Sequence, residues 1–389
     1  MAALSLGTLT GLLAWPVPAG ADGCLVPKGI YASATPWAQR QLDLTEVAPL
    51  SIGAGQRIAV IGTGIDATNA QFAQGQVQSG SDLKGGSGLG DCDGRGTLAA
   101  GFIGAQPDPH TTIVGVAPGA QLVPIRYTAS GGDSQGGGVP AALATAFDAA
   151  VAAKVDIILV AVPVTADSPA LRTAVAQAQH AGIVVVSPAA AAKAGETTYP
   201  TSYSGVVAVA GVRADGTVAT VESGSYLALS APGNDLDGLA AGAKGGLGHL
   251  WPVNDPSYAA AFVAGVIADV ASYLPKLSPA QAVQRVLATA GASDGSHNDQ
   301  TGWGLVDPIR ALTAALPAAV TPQSMAAGQA PAHRVTVARP VPPSTPKGRS
   351  AGYLAGGGLL LALLIGLAAA TIRRGQRRGW RPARARVRA

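Results

Sequence analysis

The chain has 389 residues, 48% of them hydrophobic, 12% charged and only 4% aromatic, with 52 glycines. That apolar fraction excludes a wholly disordered chain, which could not bury enough surface to offset its ordering entropy. The net charge is +4, but eight arginines between positions 373 and 388 account for the excess. Without them the chain is net negative, so its basicity is no argument for nucleic acid.

Residues 1–21 read as a secretory signal peptide, with an apolar stretch from Leu4 to Val17 and small residues Ala19, Gly20 and Ala21 at its end. The segment departs from the pattern in having no Lys or Arg before Lys28. A buried N-terminal strand is the alternative reading. Residues 22–50 form an N-terminal extension. Export and an even cysteine count favour a disulfide between Cys24 and Cys92, with two free buried thiols as the alternative. No Cys/His set has metal-ligand spacing, and neither a metal nor a cofactor is expected.

The body, 51–316, alternates short apolar runs with helical periodicity. Runs at 57–61, 122–127, 155–162, 183–187 and 206–212 look like buried parallel strands. Segments 140–153, 168–181 and 257–274 look like helices, and Pro140 suits a first helical turn. Such alternation predicts an α/β domain, a parallel sheet with helices on both faces and a site at the carboxyl ends of the strands. Residues 317–350 are rich in Pro and Ala and read as a semi-extended tether. Residues 351–372 carry no charge and are long enough to cross the ~30 Å hydrocarbon layer as a transmembrane helix. The basic tail, 373–389, then lies in the cytoplasm with the body outside, and the lipid bilayer is a partner.

Six motifs, taken in order, resemble the subtilisin-like serine proteases of the peptidase S8 family, and within them the mycosins. They are Ile58-Ala59-Val60-Ile61-Gly62-Thr63-Gly64, Asp91-Cys92-Asp93-Gly94-Arg95-Gly96-Thr97, Gly115-Val116-Ala117-Pro118-Gly119-Ala120, Tyr199-Pro200-Thr201-Ser202-Tyr203, Ser257-Tyr258-Ala259-Ala260-Ala261-Phe262-Val263-Ala264-Gly265 and Gly302-Trp303-Gly304-Leu305-Val306-Asp307-Pro308. The succession of leader, arm, body, Pro-rich linker and C-terminal span is similar to theirs. The resemblance implies a subtilisin-like fold. It also implies pairing of the arm with the cysteine at Cys92, and association with the proteins of a type VII secretion membrane complex, whose stability mycosins support apart from cleavage.

The same resemblance marks four positions of the catalytic machinery, and three are degenerate. Gly62 stands where the family has the triad Asp, Arg95 where it has His, and Ala190 where it has the oxyanion Asn; only Ser257 is retained. A serine hydroxyl is a poor nucleophile without an adjacent base. Arg95 has no acceptor lone pair and keeps its proton at any relevant pH. Gly62 cannot orient an imidazole, and the absent oxyanion donor alone costs roughly 10²–10³ in turnover.

Substitutes are weak. Asp66 is expected to cap or turn the chain, and Asp91 and Asp93 to neutralise Arg95. Of the histidines 110, 180, 249, 297 and 333, His249 is the best candidate base. Ser257 itself suits a helix N-cap. Where the family has a Ser-Leu-Gly groove segment, this chain ends its strand Val160-Ala161-Val162-Pro163, and Pro163 lacks the donor an added peptide strand needs. The expected function is that of a membrane-anchored pseudoprotease that stabilises a secretion complex. The alternatives are a serine endopeptidase with a non-standard site and a sensor that binds a peptide or anion at Arg95.

Overall fold

The computed structural model describes residues 23–131, 138–291, 296–317, 320 and 373–374. The chain divides into two units, Met1–Ala330 and Pro331–Ala389; of the second, Arg373 and Arg374 alone are described, both helical. The expected signal peptide, nearly all of the tether and the expected span at 351–372 lie outside the described residues. Among those described, no helix is long and apolar enough to cross a membrane.

In chain order the elements of the first unit are α1 (Trp37–Gln41), α2 (Leu44–Val47), β1 (Arg57–Gly62), β2 (Ser81–Asp82), α3 (Arg95–Gly104), β3 (Gln121–Arg126), α4 (Pro140–Ala152), β4 (Ile157–Val160) and α5 (Pro169–His180). They continue with β5 (Val184–Pro188), β6 (Val207–Val212), β7 (Leu227–Pro232), β8 (Leu236–Leu239), β9 (His249–Val253), α6 (Ala259–Tyr273), α7 (Pro279–Thr289) and α8 (Pro308–Thr313). Strands β2-β3-β1-β4-β5-β6-β7 form one sheet in that order, and every pairing in it is parallel. β8 and β9 form a separate antiparallel pair.

The strand period of two explains the layers. In β1, Ile58 and Val60 enter one core with α3 and α6, while Ala59 and Ile61 enter the other with α4 and α5. Ile157 and Leu159 of β4 join the first core, and Ile158 and Val160 the second. Both sheet faces are therefore covered, which is why these strands read as unbroken apolar runs. The expected α/β fold with helices on both faces is the observed one. The short β2, the edge strand β7 and the β8–β9 pair escaped the sequence reading. β2 and β8 are short and hold Asp, and in β7 and β9 Ser230, Pro232, His249 and Pro252 interrupt the apolar residues, so none carries an unbroken run.

α6 is apolar on all faces from Ala259 to Val270 because it lies between other elements, with one exception in that stretch. Asp269 is fully buried, and neither carboxyl oxygen has a hydrogen-bond partner. The Ser51 hydroxyl instead donates to the Asp269 backbone carbonyl at 3.0 Å. Burial pushes the Asp269 carboxyl up to about 7. In the unfolded chain it ionises near pH ~4, so between these values the folded state holds a proton that the unfolded state has released. Stability therefore falls as pH rises through this window. Asp269→Asn is expected to gain up to about 4 kcal/mol over the native chain at pH 8 and nothing at pH 4. Urea unfolding at the two pH values measures this, and an equal effect at both would exclude the titration of Asp269 as its cause.

Candidate functional site

The carboxyl ends of β1, β4 and β5 meet the start of α3 and a 3-10 turn, Pro256–Tyr258, that leads into α6. Gly62 ends β1, Arg95 is the first residue of α3, and Ala190 follows β5 by two residues. Arg95, Ala190 and Ser257 line one cleft with Gly131, Ala161, Val162 and Pro163. The cleft has about 0 Å³ of room for a water-sized group, against the ~300–1,000 Å³ of ordinary ligand pockets. A Cβ on Gly62 would lie 3.2 Å from the Ala161 Cβ and 3.6 Å from Val162 Cγ2, so Gly62 packs beside the same residues.

Arg95 decides the electrostatics. Its Nη1 donates to Asp255 Oδ2 at 2.5 Å and to Ser257 Oγ at 3.1 Å. Nε stands 4.0 Å from Asp93 Oδ1 and has no hydrogen-bond partner. The guanidinium carbon lies 5.6 Å from the centre of the Tyr258 ring. Burial alone disfavours the charge, but Tyr258, Asp255 and Asp93 outweigh it and hold the proton more firmly than usual. Gly131 makes the arrangement sterically feasible: a Cβ there would come within 2.1 Å of Arg95 Nε.

Ser257 is buried, and among the described residues its hydroxyl hydrogen-bonds Arg95 alone. A guanidinium only donates, so nothing in this contact withdraws the serine proton. Asp255 is no substitute base. Its Oδ1 accepts from the Ser257 backbone N–H at 2.9 Å and its Oδ2 from Arg95. Tyr258 is excluded as well, since burial pushes its hydroxyl above the usual tyrosine range.

Several expectations are corrected here. Ser257 is not an N-cap: Asp255 caps the turn, and Ser257 supplies the capped N–H. Asp91 does not neutralise Arg95. Its Oδ1 accepts from Gly94 N at 2.8 Å, and its Oδ2 accepts from Thr97 N at 2.8 Å and from Thr97 Oγ1 at 2.6 Å. These are orphan donors at the start of α3. Asp93 does help neutralise Arg95, as expected, but the closest carboxylate is Asp255, 160 residues away in sequence. A visible signal existed in Asp-Pro-Ser, a common helix-start pattern, but nothing local pairs it with Arg95.

His249 lies elsewhere. It is buried in β9, where Nδ1 accepts from Tyr31 N at 2.9 Å and Nε2 contacts Gln71 Oε1 at 2.5 Å. Both nitrogens are thus committed, and burial lowers the ring's pKa to about 4. Asp66 turns the chain as expected: Oδ1 accepts from Thr68 N at 3.0 Å and Oδ2 from Gly242 N at 2.6 Å.

The cleft edge offers little to a peptide. Tyr127 donates its hydroxyl to the Val162 carbonyl at 2.6 Å, Pro163 has no N–H, and Val164 exchanges two backbone bonds with Tyr199 at 2.8 and 2.7 Å. The segment that would pair with an added strand is already paired inside the protein.

One residue the sequence reading missed holds the far wall. Glu222 is buried and accepts five bonds, from Ala190 N, Ala191 N, Thr198 N, Thr198 Oγ1 and Tyr226 Oη, at 2.7 to 2.9 Å. The Ala190 amide is thereby tied to a carboxylate. At the opposite end, Cys24 and Cys92 form a disulfide, as expected. It sits three residues before Arg95 and fastens the arm beside the cleft.

Comparison with known proteins agrees with this fold. The subtilase family (Peptidase_S8) matches residues 53–304. Mycosin-4 of Mycobacterium tuberculosis is 33% identical over 376 residues, covering 85% of this chain and 80% of that protein. Mycosin-1 of Mycolicibacterium smegmatis is 29% identical over 346 residues, covering 75% and 76%. Among solved structures, the MycP3 protease from the type VII (ESX-3) secretion system superposes with a TM-score of 0.66 at 29% identity, covering 75% of this chain and 92% of that one.

Proposed function

Because this chain belongs to the subtilase family and its folded body is mycosin-like, we propose that it is a pseudoprotease. In this reading it keeps the mycosin scaffold as a contact surface for the membrane complex of a type VII secretion system. The observation that carries the reading is the 3.1 Å contact from Arg95 Nη1 to Ser257 Oγ. In a working site that place belongs to a base able to take the serine proton. A donor-only cation there leaves the hydroxyl without activation, and Gly62 and Ala190 supply neither an orienting carboxylate nor an oxyanion donor.

The choice of partner rests on the relatives, since the MycP3 protease comes from a type VII secretion system. The proposal of an anchor is supported by the uncharged stretch 351–372 and its arginine flank, a pattern that favours a body on the far side of the membrane from the cytoplasm. An anion sensor at Arg95 is the weaker reading, because Asp255 already neutralises the guanidinium. The retained Ser257 is what favours the remaining alternative, an active protease.

A serine-directed fluorophosphonate probe separates the readings. No labelling above that of Ser257→Ala is expected, and the double variant Gly62→Asp with Arg95→His is expected to remain unlabelled, since Ala190 and the closed cleft edge persist. Labelling of the native chain that disappears in Ser257→Ala would establish the protease instead. Co-purification with type VII membrane components after mild extraction tests the scaffold role. Normal levels of those components in a deletion strain, with no co-purification, would remove it.

A further inference from the structure

Two deeply buried carboxyls are treated in opposite ways. Glu222 accepts five hydrogen bonds. Asp269, fully buried in α6, has no partner on either oxygen among the described residues. A bare carboxylate is costly in such a place, and the neutral acid far less so. The surroundings offer no counter-charge. Strands β4, β5, β6 and β7 pack on α6 and carry no charged residue, and α6 itself carries no other. α3 brings Arg95, which is bonded to Asp255, and the turn before α6 brings Tyr258. α7 brings Arg285, whose guanidinium donates to the carbonyls of Ala311, Leu312 and Ala314. α8 brings Arg310, and α2 brings the exposed Glu46. None of these groups governs the Asp269 carboxyl: burial holds it toward the neutral form, and Ser51 and Gly53 are the groups that favour its charge.

Both groups belong to the turn 51–56, which joins the N-terminal extension to β1. Ser51 Oγ donates to the Asp269 backbone carbonyl at 3.0 Å and accepts from Gly53 N at 3.3 Å. Neither donor is bound to its present acceptor by necessity. The Asp269 carbonyl lies four residues before Tyr273, the last residue of α6, so it keeps its intrahelical bond when Ser51 leaves. The Gly53 bond is long, and Gly53 and Gly55, at φ 69° and 82°, form the bend that would move. Three bonds hold the turn to the rest of the body. Gly119 N donates to Ile52 O at 2.6 Å, Ser272 Oγ to Ala54 O at 2.8 Å and Gln121 N to Gln56 O at 2.9 Å.

We propose that Asp269 and the turn 51–56 form a proton-operated latch between the N-terminal extension and the body. With the acid neutral, Ser51 closes the turn onto α6. When the proton leaves to solvent, the Ser51 hydroxyl and the Gly53 N–H turn to the carboxylate, and the bonds to Gly119 and Ser272 loosen. Burial places the ionisation near pH 7, so the turn is closed below that value and loosened above it. The latch is independent of Ser257, and its failure would leave the pseudoprotease reading standing. Hydrogen exchange of the full-length chain tests it, read by mass spectrometry over 48–57 between about pH 5 and pH 9 and corrected for the intrinsic rate. Protection of the turn is expected to fall roughly 10-fold or more across the range, while β4 stays better protected than the turn throughout. Asp269→Asn is expected to keep the turn protected at every pH. Ser51→Ala removes a donor to the charged form and is expected to move the midpoint up by about one pH unit. The proposal is overturned if protection of the native turn does not change with pH, or if Asp269→Asn follows the native profile. It is equally overturned if Ser51→Ala leaves the midpoint in place, or if the turn exchanges only together with β4.

Discussion

Glu222→Gln is expected to lower the unfolding free energy by about 3–5 kcal/mol, near the upper limit for single substitutions. The carboxylate receives three backbone N–H groups and two hydroxyls, and it does so with almost no solvent contact. No ion pair involves it among the described residues, so these five donors alone compensate its burial. An amide at this position keeps one acceptor oxygen but turns an NH₂ group toward donors, and buried donors left unmade cost about 1–3 kcal/mol each. Glu222→Ala orphans all five and is expected to cost more. Denaturant unfolding monitored at two wavelengths measures the loss. A change below about 1 kcal/mol for Glu222→Gln would show that the network reorganises around the amide and does not depend on the carboxylate. A local consequence is also expected: the amides of Ala190 and Ala191 should lose hydrogen-exchange protection before the rest of the sheet.

Removal of the Cys24–Cys92 bond is the second large effect. The cysteines are 68 residues apart in sequence, and closure of a loop that long is worth about 4 kcal/mol through the entropy of the unfolded chain. Cys24→Ser, Cys92→Ser and the double variant should lose nearly the same amount, because each breaks the same bond. A reductant should destabilise the native chain and leave the double variant unchanged. The arm has other attachments. Leu25 N donates to Cys92 O at 2.8 Å, Lys28 N to His249 O at 2.8 Å and Tyr31 N to the His249 ring at 2.9 Å. If these suffice alone, all three variants will unfold with the native midpoint, and the covalent bond is then redundant.

Much of the fold was legible because its signals are local. Strands buried on both faces read as nearly continuous apolar runs, and β1, β4, β5 and β6 do, apart from Arg57 at the start of β1 and the hydrogen-bonded Ser187 in β5. Pro140 and the capping Ser168 mark the starts of α4 and α5. β7, β8 and β9 gave no comparable sign, since they sit at an edge or in a two-stranded pair and Ser, Asp, Gly, His or Pro interrupts their apolar residues. The helix expected at 257–274 exists from Ala259 onward, but its first turn is tighter because Asp255 draws in the Ser257 amide.

The candidate site divides along the same line. That Arg95 cannot act as a base, that Gly62 bears no carboxylate and that Ala190 bears no side-chain donor are properties of residue type, and no fold alters them. Which group confronts Arg95 is a matter of three-dimensional proximity. Asp91 and Asp93 were the near neighbours in sequence, yet the tertiary structure gives Asp91 to the amides of α3 and brings Asp255 across 160 positions to the guanidinium. Likewise nothing in the sequence marks Glu222 out, and its role arises only where five donors from four residues converge on it. Side-chain chemistry is fixed along the chain, whereas the cost of a buried charge depends on what surrounds it, and only folding assembles those surroundings.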